Sequence, residues 1–551
     1  TDDFFDLGGH SLLATVAVAR IGAALGVHIP LKLLFLNPTV AALAAQIDGG
    51  AAEAAPPAPA ARPRSAAAIP LSAAQRRLYF LEQLVPDTAT YNVAEAATLK
   101  GQLDEEALGR ALETVVHRHD LLRAVFRDDD GVLEQVIDLP APVPLPLTDL
   151  SGSEPAERDQ EVARFLRIQA TRPFDLRTGP LLRARLVRLA PDLHVLLLVI
   201  HHVVTDGWSM DVLRRELTAA YNAFTAGGAP DLPQLSFSFA DYVAWELEYA
   251  SGERLSSALD YWRDHLRELP AVLPLPQLEA GPATSEEPDL ALRPNAGASS
   301  RVAIPPELAE QVRALARRAG ATPHAVLLSA YALLLGRMCG LERLIVGCTA
   351  TGRPTPELEA LIGFFVATMP LRADLLGDPT ATELTVRMRD EVLSGVSHQE
   401  AQLEQIVAAL NAPRVTGRAP LLQVAFSLAP GPEGEERFSG LECAWEDIET
   451  GTAKFELALL LWERAGGFDG RLEFDVRKFS GGEAESLAQS YLAVLQQLAA
   501  NPEGRLSELG LSVEPSARPE STVPLIRPAP RPGDGRPIVP PRTETEQRIA
   551  A

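Results

Sequence analysis

The chain has 551 residues, 46% of them hydrophobic and 22% charged, a composition of folded units with sizeable cores; the length points to three or four such units with linkers. With 50 Lys and Arg against 73 Asp and Glu the formal charge is −23, which argues against nucleic acid as a partner because no basic stripe offsets it. Three widely spaced cysteines (Cys339, Cys348, Cys443) speak against a disulfide framework or a zinc cluster and fit a reducing cytoplasm; no run of 18 uninterrupted apolar residues predicts a membrane span, and the opening Thr-Asp-Asp-Phe-Phe is not a signal peptide.

In chain order, residues 1–48 predict a small helical unit. Asp6-Leu7-Gly8-Gly9-His10 forms a glycine turn, and an amphipathic helix follows with Leu12, Val16, Ala19 and Ile21 near its apolar side. Ser11 falls at the helix start, where free N–H groups and the helix dipole favour an anion; a plain serine N-cap fits the same position. A serine-hydrolase elbow is disfavoured, since Gly9-His10-Ser11-Leu12-Leu13 lacks the second glycine. Residues 49–68, rich in Ala and Pro, read as an extended linker. Asp104 is placed to cap a helix with Leu108, Leu112, Val115 and Val116 on one face, leading into Arg118-His119-Asp120-Leu121-Leu122-Arg123.

The most informative stretch is His201-His202-Val203-Val204-Thr205-Asp206-Gly207. The apolar run from His194 to Ile200 before it reads as a fully buried strand. Trp208-Ser209 open a helix that Ser209 can cap, with Val212, Leu213, Leu217, Ala220, Tyr221 and Phe224 at helical spacing. Two histidines on a loop between a buried strand and a helix, with a carboxylate a few residues on, fit a general base and its orienting partner. They equally fit two satisfied core histidines beside an Asp-Gly turn. Farther on, Phe239, Tyr242 and Trp245 read as core aromatics, residues 271–300 as a Pro/Gly/Ala-rich connection, Thr322-Pro323 as the start of an apolar helix, and Leu344–Gly347 as a short strand followed by a polar loop at Thr351-Gly352-Arg353-Pro354.

Two resemblances join these pieces. Asp2-Asp-Phe-Phe-Asp-Leu-Gly-Gly-His-Ser-Leu-Leu-Ala14, with Pro38-Thr-Val-Ala-Ala-Leu43, resembles peptidyl carrier proteins, which implies 4′-phosphopantetheine on Ser11; the family's first helix is missing ahead of Thr1. His201–Gly207 followed by Trp208-Ser209 resembles the HHxxxDG signature of nonribosomal peptide synthetase condensation domains. Six further stretches match that family in order: Ser72–Leu81, Arg118–Phe126, Phe239–Trp245, Ile362–Arg372, His398-Gln399-Glu400 and Arg414–Phe426. Ala367 stands where the family usually has Asn and Leu403 where it prefers Phe, while Lys454-Phe455-Glu456-Leu457 fits a later strand.

The resemblance implies an α+β bulk of two chloramphenicol-acetyltransferase-like lobes in a V, with mixed sheets and helices, preceded by a small all-α carrier bundle. The expected boundaries are carrier 1–48, linker 49–68, N-lobe 69–270, connection 271–300, C-lobe 301–512 and Pro-rich linker 513–551. The last residues resemble the lead-in to another carrier. The implied reaction is peptide-bond formation, in which the amine of an acceptor carrier thioester attacks a donor acyl or peptidyl thioester, without metal or nucleotide. The family's roles carried over are His202 catalytic, Gly207 a backbone oxyanion donor, His201 and Asp206 structural, and Arg118 or Arg123 the partner of Asp206. The intact HHxxxDG and Asp-Gly-Trp-Ser resemble domains taking an L-configured or achiral donor. Implied partners are donor and acceptor carriers, a phosphopantetheinyl transferase and adenylation domains, with neither nucleic acid nor membrane, in a bacterial cytoplasm. The alternatives are an epimerisation domain, a recruitment platform that has lost catalysis, and a free-standing acyl-CoA transferase, which the attached carrier disfavours.

Overall fold

The computed structural model describes residues 2, 4, 11–54, 61, 69–129, 132–275, 295–353, 355–413, 415, 418–431, 437–464, 466–510 and 523–528. Most of the linker 49–68, most of the connection 271–300, Arg414 and the last 23 residues lie outside this set.

The N-terminal unit holds helices Ser11–Leu25, Leu31–Leu36 and Val40–Gln46, and Thr39 caps the third through Ala42 N–H. Val27–His28 pairs with Glu53–Ala54 in a two-stranded antiparallel ribbon, so the expected all-α unit carries one short strand pair. Both members lie just past a helix end, where the chain has already turned extended.

The first lobe is built on a five-stranded sheet. Its central strand, Leu193–His201, is buried from His194 onward because Asn92–Gly101 and Leu182–Ala190 flank it on both sides, both antiparallel. This explains the unbroken apolar run: with neighbours on both edges and helices over the sheet, every side chain meets protein. Helices Glu105–Arg118 and Gly207–Thr225 pack together on it, the first capped by Asp104, whose Oδ1 accepts Ala107 N–H at 2.9 Å. Phe239, Tyr242 and Trp245 are core residues, with Phe239 and Tyr242 packed on Phe365. The second lobe carries a six-stranded mixed sheet: Gly297–Ile304, Gly467–Asp475, Leu457–Arg464, Val424–Pro430, Arg343–Ala350 and Ala367–Asp374 lie side by side in that order. The apolar helix Pro323–Cys339, buried at nearly every position, fills its core.

The lobes are not two consecutive halves. Strand Leu441–Asp447, from late in the chain, adds to the first lobe's sheet beside Asn92–Gly101, and Leu358, Leu361, Ile362, Phe364 and Phe365 lie in the first lobe's core. Within the expected linker 513–551, Val523–Pro528 instead docks on the second lobe. Ile526 exchanges backbone hydrogen bonds with Glu268 and Leu269, and its side chain is fully buried. Ile526 supplies burial that the proline count of the region conceals, while Leu525 beside it stays exposed.

Among the described residues no single helix is long and apolar enough to cross a membrane, though one sharply bent pair, Pro306–Arg318 with Pro323–Cys339, passes on length and composition together. The second member of that pair is the buried core helix.

Shortening Ile526 to Ala leaves a cavity in a closed core. The expected loss is about 2–5 kcal/mol of condensation-unit stability, visible as a lowered urea midpoint.

Candidate active site

The central strand ends at His201, a short 3-10 turn runs from His202 to Val204, and the helix Gly207–Thr225 begins. Gln75, at the first-turn end of the capping box on Ser72, donates its Nε2 to Val203 O at 3.2 Å, so the Ser72–Leu81 stretch clamps this turn. His201 is buried between Phe174 and Tyr91, accepts Val203 N–H on Nδ1 at 3.1 Å, and faces Glu82 Oε2 at 3.7 Å. Burial lowers its pKa despite the Glu82 carboxylate.

His202 is half-buried in the wall of a cavity of about 1130 Å³ between the lobes. Its Nδ1 lies 2.7 Å from Thr205 O, and a carbonyl can only accept. Nδ1 therefore carries the proton, and Nε2 keeps the lone pair. The ring meets Phe364 edge to face with centroids 5.0 Å apart. Burial first, then the Lys454 ammonium, pulls its pKa well below the ordinary imidazole value; the Thr205 carbonyl and the Asp206 carboxylate oppose this and do not offset it. At neutral pH the ring is an uncharged hydrogen-bond acceptor.

Asp206 faces away from this ring into a buried network. Arg353 Nη1 donates to Oδ2 at 2.9 Å and Nη2 to Oδ1 at 3.2 Å, while backbone N–H groups of Ser209 and Phe365 donate at 2.8 and 3.0 Å. Burial raises the cost of ionising this carboxyl, but Arg353 and the Ser209 donors outweigh it and hold the pKa below the ordinary value. Asp206, rather than Ser209, is the helix cap. The Ser209 hydroxyl instead donates to Gly363 O at 2.8 Å and accepts from Gly363 N–H and Arg353.

The expected partner of Asp206 is thus corrected. Arg118 pairs with Glu216 at 3.1 Å and donates to Pro233 O, and Arg123 binds Asp120 and the carbonyls of Val116, His117 and Asp138. Arg118 is consumed by Glu216 of the helix Gly207–Thr225 and by Pro233 O, and Arg123 by Asp120, Asp138 O and the last carbonyls of the helix Glu105–Arg118. The neighbouring His119 shares Glu216 at 2.8 Å, tying that helix to Gly207–Thr225. Arg353 comes from the polar loop after Arg343–Ala350, 147 residues from Asp206, and nothing in its local Gly-Arg-Pro setting named its partner. Gly352, at φ +64°, lets the loop pass against Phe365, where a Cβ would collide with the carbonyl oxygen.

Gly207 is the first residue of the helix, exposed in the cavity wall, at a position whose N–H has no partner within the helix. Lys454 lines the same cavity and forms no ion pair among the described residues. Ala367 is buried opposite Ala350 in the second sheet, a place with no polar reach of its own. Leu403 starts the helix Leu403–Leu410 and also lines the cavity. Ser11 opens a 15-residue helix whose first turn has no acidic side chain, so its backbone and dipole suit the phosphodiester of 4′-phosphopantetheine; the turn before it lies outside the described residues. Among the described residues no group of three or more His, Cys, Asp and Glu is arranged to hold a metal.

The family model for condensation domains matches residues 65–518, and that for a phosphopantetheine attachment site matches residues 1–47. The chain belongs to the condensation-domain family, whose members in nonribosomal peptide synthetases are amide-forming acyltransferases, and it carries a phosphopantetheine attachment site ahead of that domain. It is 36% identical over 517 residues to a linear gramicidin synthase of Brevibacillus parabrevis, covering 93% of this chain and 6% of that protein. It is 35% identical over 526 residues to phosphinothricin tripeptide synthetase PhsB of Streptomyces viridochromogenes, covering 94% of this chain and 43% of that protein. The chain thus spans less than half the length of these relatives. Among solved structures, the X-domain from teicoplanin biosynthesis aligns with a TM-score of 0.71 at 29% identity, covering 82% of this chain and 99% of that one. The first condensation domain of the CDA synthetase aligns with a TM-score of 0.66 at 22% identity, covering 81% of this chain and 100% of that one, a likeness of fold.

Replacing Arg353 by Ala strands a buried carboxylate. The expected destabilisation is about 3–5 kcal/mol, measured by urea unfolding, with a smaller loss in the Asp206→Asn, Arg353→Met double variant than the two single losses summed. Because the His201 and His202 pKa values both lie below the unfolded value of about 6.5, the unfolded chain takes up protons first. Stability is then complete above that value and declines as the pH falls below it, and nitrogen NMR of His202 is expected to report the neutral Nδ1–H tautomer through pH 6.

Proposed function

We propose that the chain forms peptide bonds in nonribosomal peptide synthesis: the amine of an acceptor carrier-bound aminoacyl thioester attacks the carbonyl of a donor carrier-bound acyl or peptidyl thioester. The observation that carries this reading is the neutral imidazole of His202 in the wall of a cavity bounded by both lobes, beside a helix start that offers a free N–H. When bound to Ser11, 4′-phosphopantetheine supplies the thiol that holds an acyl group as a thioester.

In the step itself the C–N bond forms, the C–S bond breaks, and the proton lost by the amine ends on the departing sulfur. His202 Nε2 accepts a hydrogen bond from the attacking amine and aims its lone pair. Burial and Lys454 disfavour an imidazolium here, so His202 orients the amine by accepting its hydrogen bond and does not take up the proton. Gly207 N–H, at the positive end of its helix, donates to the oxygen of the tetrahedral intermediate, a contact type worth about 10²–10³ in rate. His201 and Asp206 hold the turn. Most of the acceleration comes from holding two thioester-borne groups in line, an effect of up to about 7–11 kcal/mol. Glu95, a buried acid of the cavity wall, is engaged with Arg214 at 2.7 Å and is no second base at the reacting centre.

A phosphopantetheinyl transferase modifies Ser11, and adenylation domains of the same assembly line load the carriers. Taken with the intact His-His-Val-Val-Thr-Asp-Gly-Trp-Ser run, the donor is L-configured or achiral. The free cysteines, Cys339 and Cys348 both buried, accord with a bacterial cytoplasm.

The test is transfer between two loaded carriers followed by intact-protein mass spectrometry. His202→Ala is expected to slow dipeptide formation about a hundredfold, the lower end of the range for proton-transfer assistance. The rate–pH profile should follow ionisation of the amine, with no limb at the ordinary imidazole pKa. Unchanged transfer in His202→Ala would remove the histidine from the step, and solvent hydrogen exchange at Cα without an acceptor would replace condensation by epimerisation.

A further inference from the structure

The cavity that His202 lines also holds a charge cluster that the transfer step does not use. Glu95, on the strand Asn92–Gly101, and Asp211 and Arg214, on the helix Gly207–Thr225, all line it. Arg214 Nη1 donates to Glu95 Oε2 at 2.7 Å, and its Nη2 donates to Asp211 Oδ1. Two carboxylates therefore share one guanidinium. Glu95 is 7% exposed, and its Oε1 accepts no hydrogen bond among the described residues. Asp447, in register with Glu95 on the next strand, has its own partner in Arg471 at 3.4 Å, and Lys454 pairs with neither Glu95 nor Asp211. The excess of negative charge shows in proton affinity. Burial pushes the Glu95 carboxyl up to about 7 and that of Asp211 up to about 6, and Arg214 opposes both shifts without cancelling them. A second cation would complete such a pair.

The position of the cluster fits the reach of a long side chain. Asn92 stands opposite His201 and Glu95 opposite Leu198, three residues away and about 10 Å along the sheet. Asp211 lies one helical turn past Gly207, about 6 Å along the axis. An aminoacyl group held between His202 and Gly207 therefore reaches the pair with a stem of several methylenes, and a short side chain falls short of it. The Trp445 ring, in the same wall and 5.9 Å from the Arg214 guanidinium, offers the methylenes apolar surface.

Resting on the condensation reading above, we propose that Glu95 and Asp211 are specificity-determining residues, which with Arg214 form a subsite for the side-chain ammonium of a lysyl-type aminoacyl thioester. The ammonium takes the place of the proton that the pair otherwise attracts, donating to Glu95 Oε1 and to the Asp211 carboxylate. Arg214 remains between the two and keeps them from repelling each other. An acidic side chain is repelled here, and an uncharged one leaves the excess charge uncompensated. Either thioester can bring the ammonium, and the two arms of the test separate them.

The experiment uses the full chain and one separate carrier, read by single-turnover intact-protein mass spectrometry. In one arm Ser11 carries lysyl- or norleucyl-phosphopantetheine and the separate carrier glycyl; in the other the loads are exchanged. Norleucine keeps the methylenes and lacks the ammonium. In one arm lysyl transfer is expected to exceed norleucyl transfer about tenfold or more, the effect of a hydrogen bond to a charged group. The carrier on which the dipeptide accumulates identifies the acceptor. Glu95→Gln and Asp211→Asn are each expected to cut the lysyl-to-norleucyl ratio severalfold. Asp211→Asn keeps the Glu95–Arg214 tie, so it decides the case where Glu95→Gln does not fold. A merely structural role lowers transfer of both loads alike and leaves the ratio as it was. Equal rates for the two loads in both arms, a preference for norleucyl, or a ratio unchanged in the variants overturns the subsite. No dipeptide from any load, glycyl on both carriers included, overturns the condensation reading itself.

Discussion

The bidentate pair between Asp206 and Arg353 is the constraint on which the rest of the site depends. A carboxylate at that depth is unstable unless a cation and hydrogen-bond donors surround it, and here all come from the segment 353–365 or from its own helix. The guanidinium is itself fixed by the carbonyls of Leu358 and Leu361 and covered by the Phe365 ring at 4.0 Å. The requirement to neutralise one buried charge therefore stitches a loop of the second half of the chain into the core of the first lobe. The His202 turn, caught between that pair and Gln75, has little freedom left.

That rigidity suits a reaction in which alignment matters more than acid–base strength. An imidazole whose Nδ1 is spent on Thr205 O presents one lone pair in one direction, and burial keeps it from becoming a charged group that would repel an ammonium. The adjacent helix start contributes a donor that needs no reorganisation. Lys454, in the same wall, adds a positive field that opposes an imidazolium. These elements act together only because strands and helices far apart in sequence meet at one cavity.

Much of this is legible from residue order alone. The buried strand before His201, the cap at Asp104, the aromatic core at Phe239, Tyr242 and Trp245, and the helix after Thr322-Pro323 follow from local periodicity and capping chemistry, which depend on near neighbours. The HHxxxDG run and the Gly-Gly-His-Ser stretch point to a family because their residues are contiguous. The partner of Asp206 is not legible in this way, since arginines such as Arg118 and Arg123, close to an apolar helix, give no sign of whether Glu216 or Asp120 will claim them. Ser209 reads as a cap because serine usually is one there, but a buried aspartate one step before the helix outcompetes it.

By itself, then, the order of residues determined the elements and the class of fold and singled out His202 and Ser11, because each is written in a short window of sequence. The tertiary structure decided which arginine neutralises Asp206, that Leu441–Asp447 closes the first lobe's sheet, and that Ile526 docks within a proline-rich tail. Those outcomes are long-range pairings, chosen by which charges, edges and apolar side chains remain unsatisfied once the local elements have formed. No window short enough to read contains both members of any such pair.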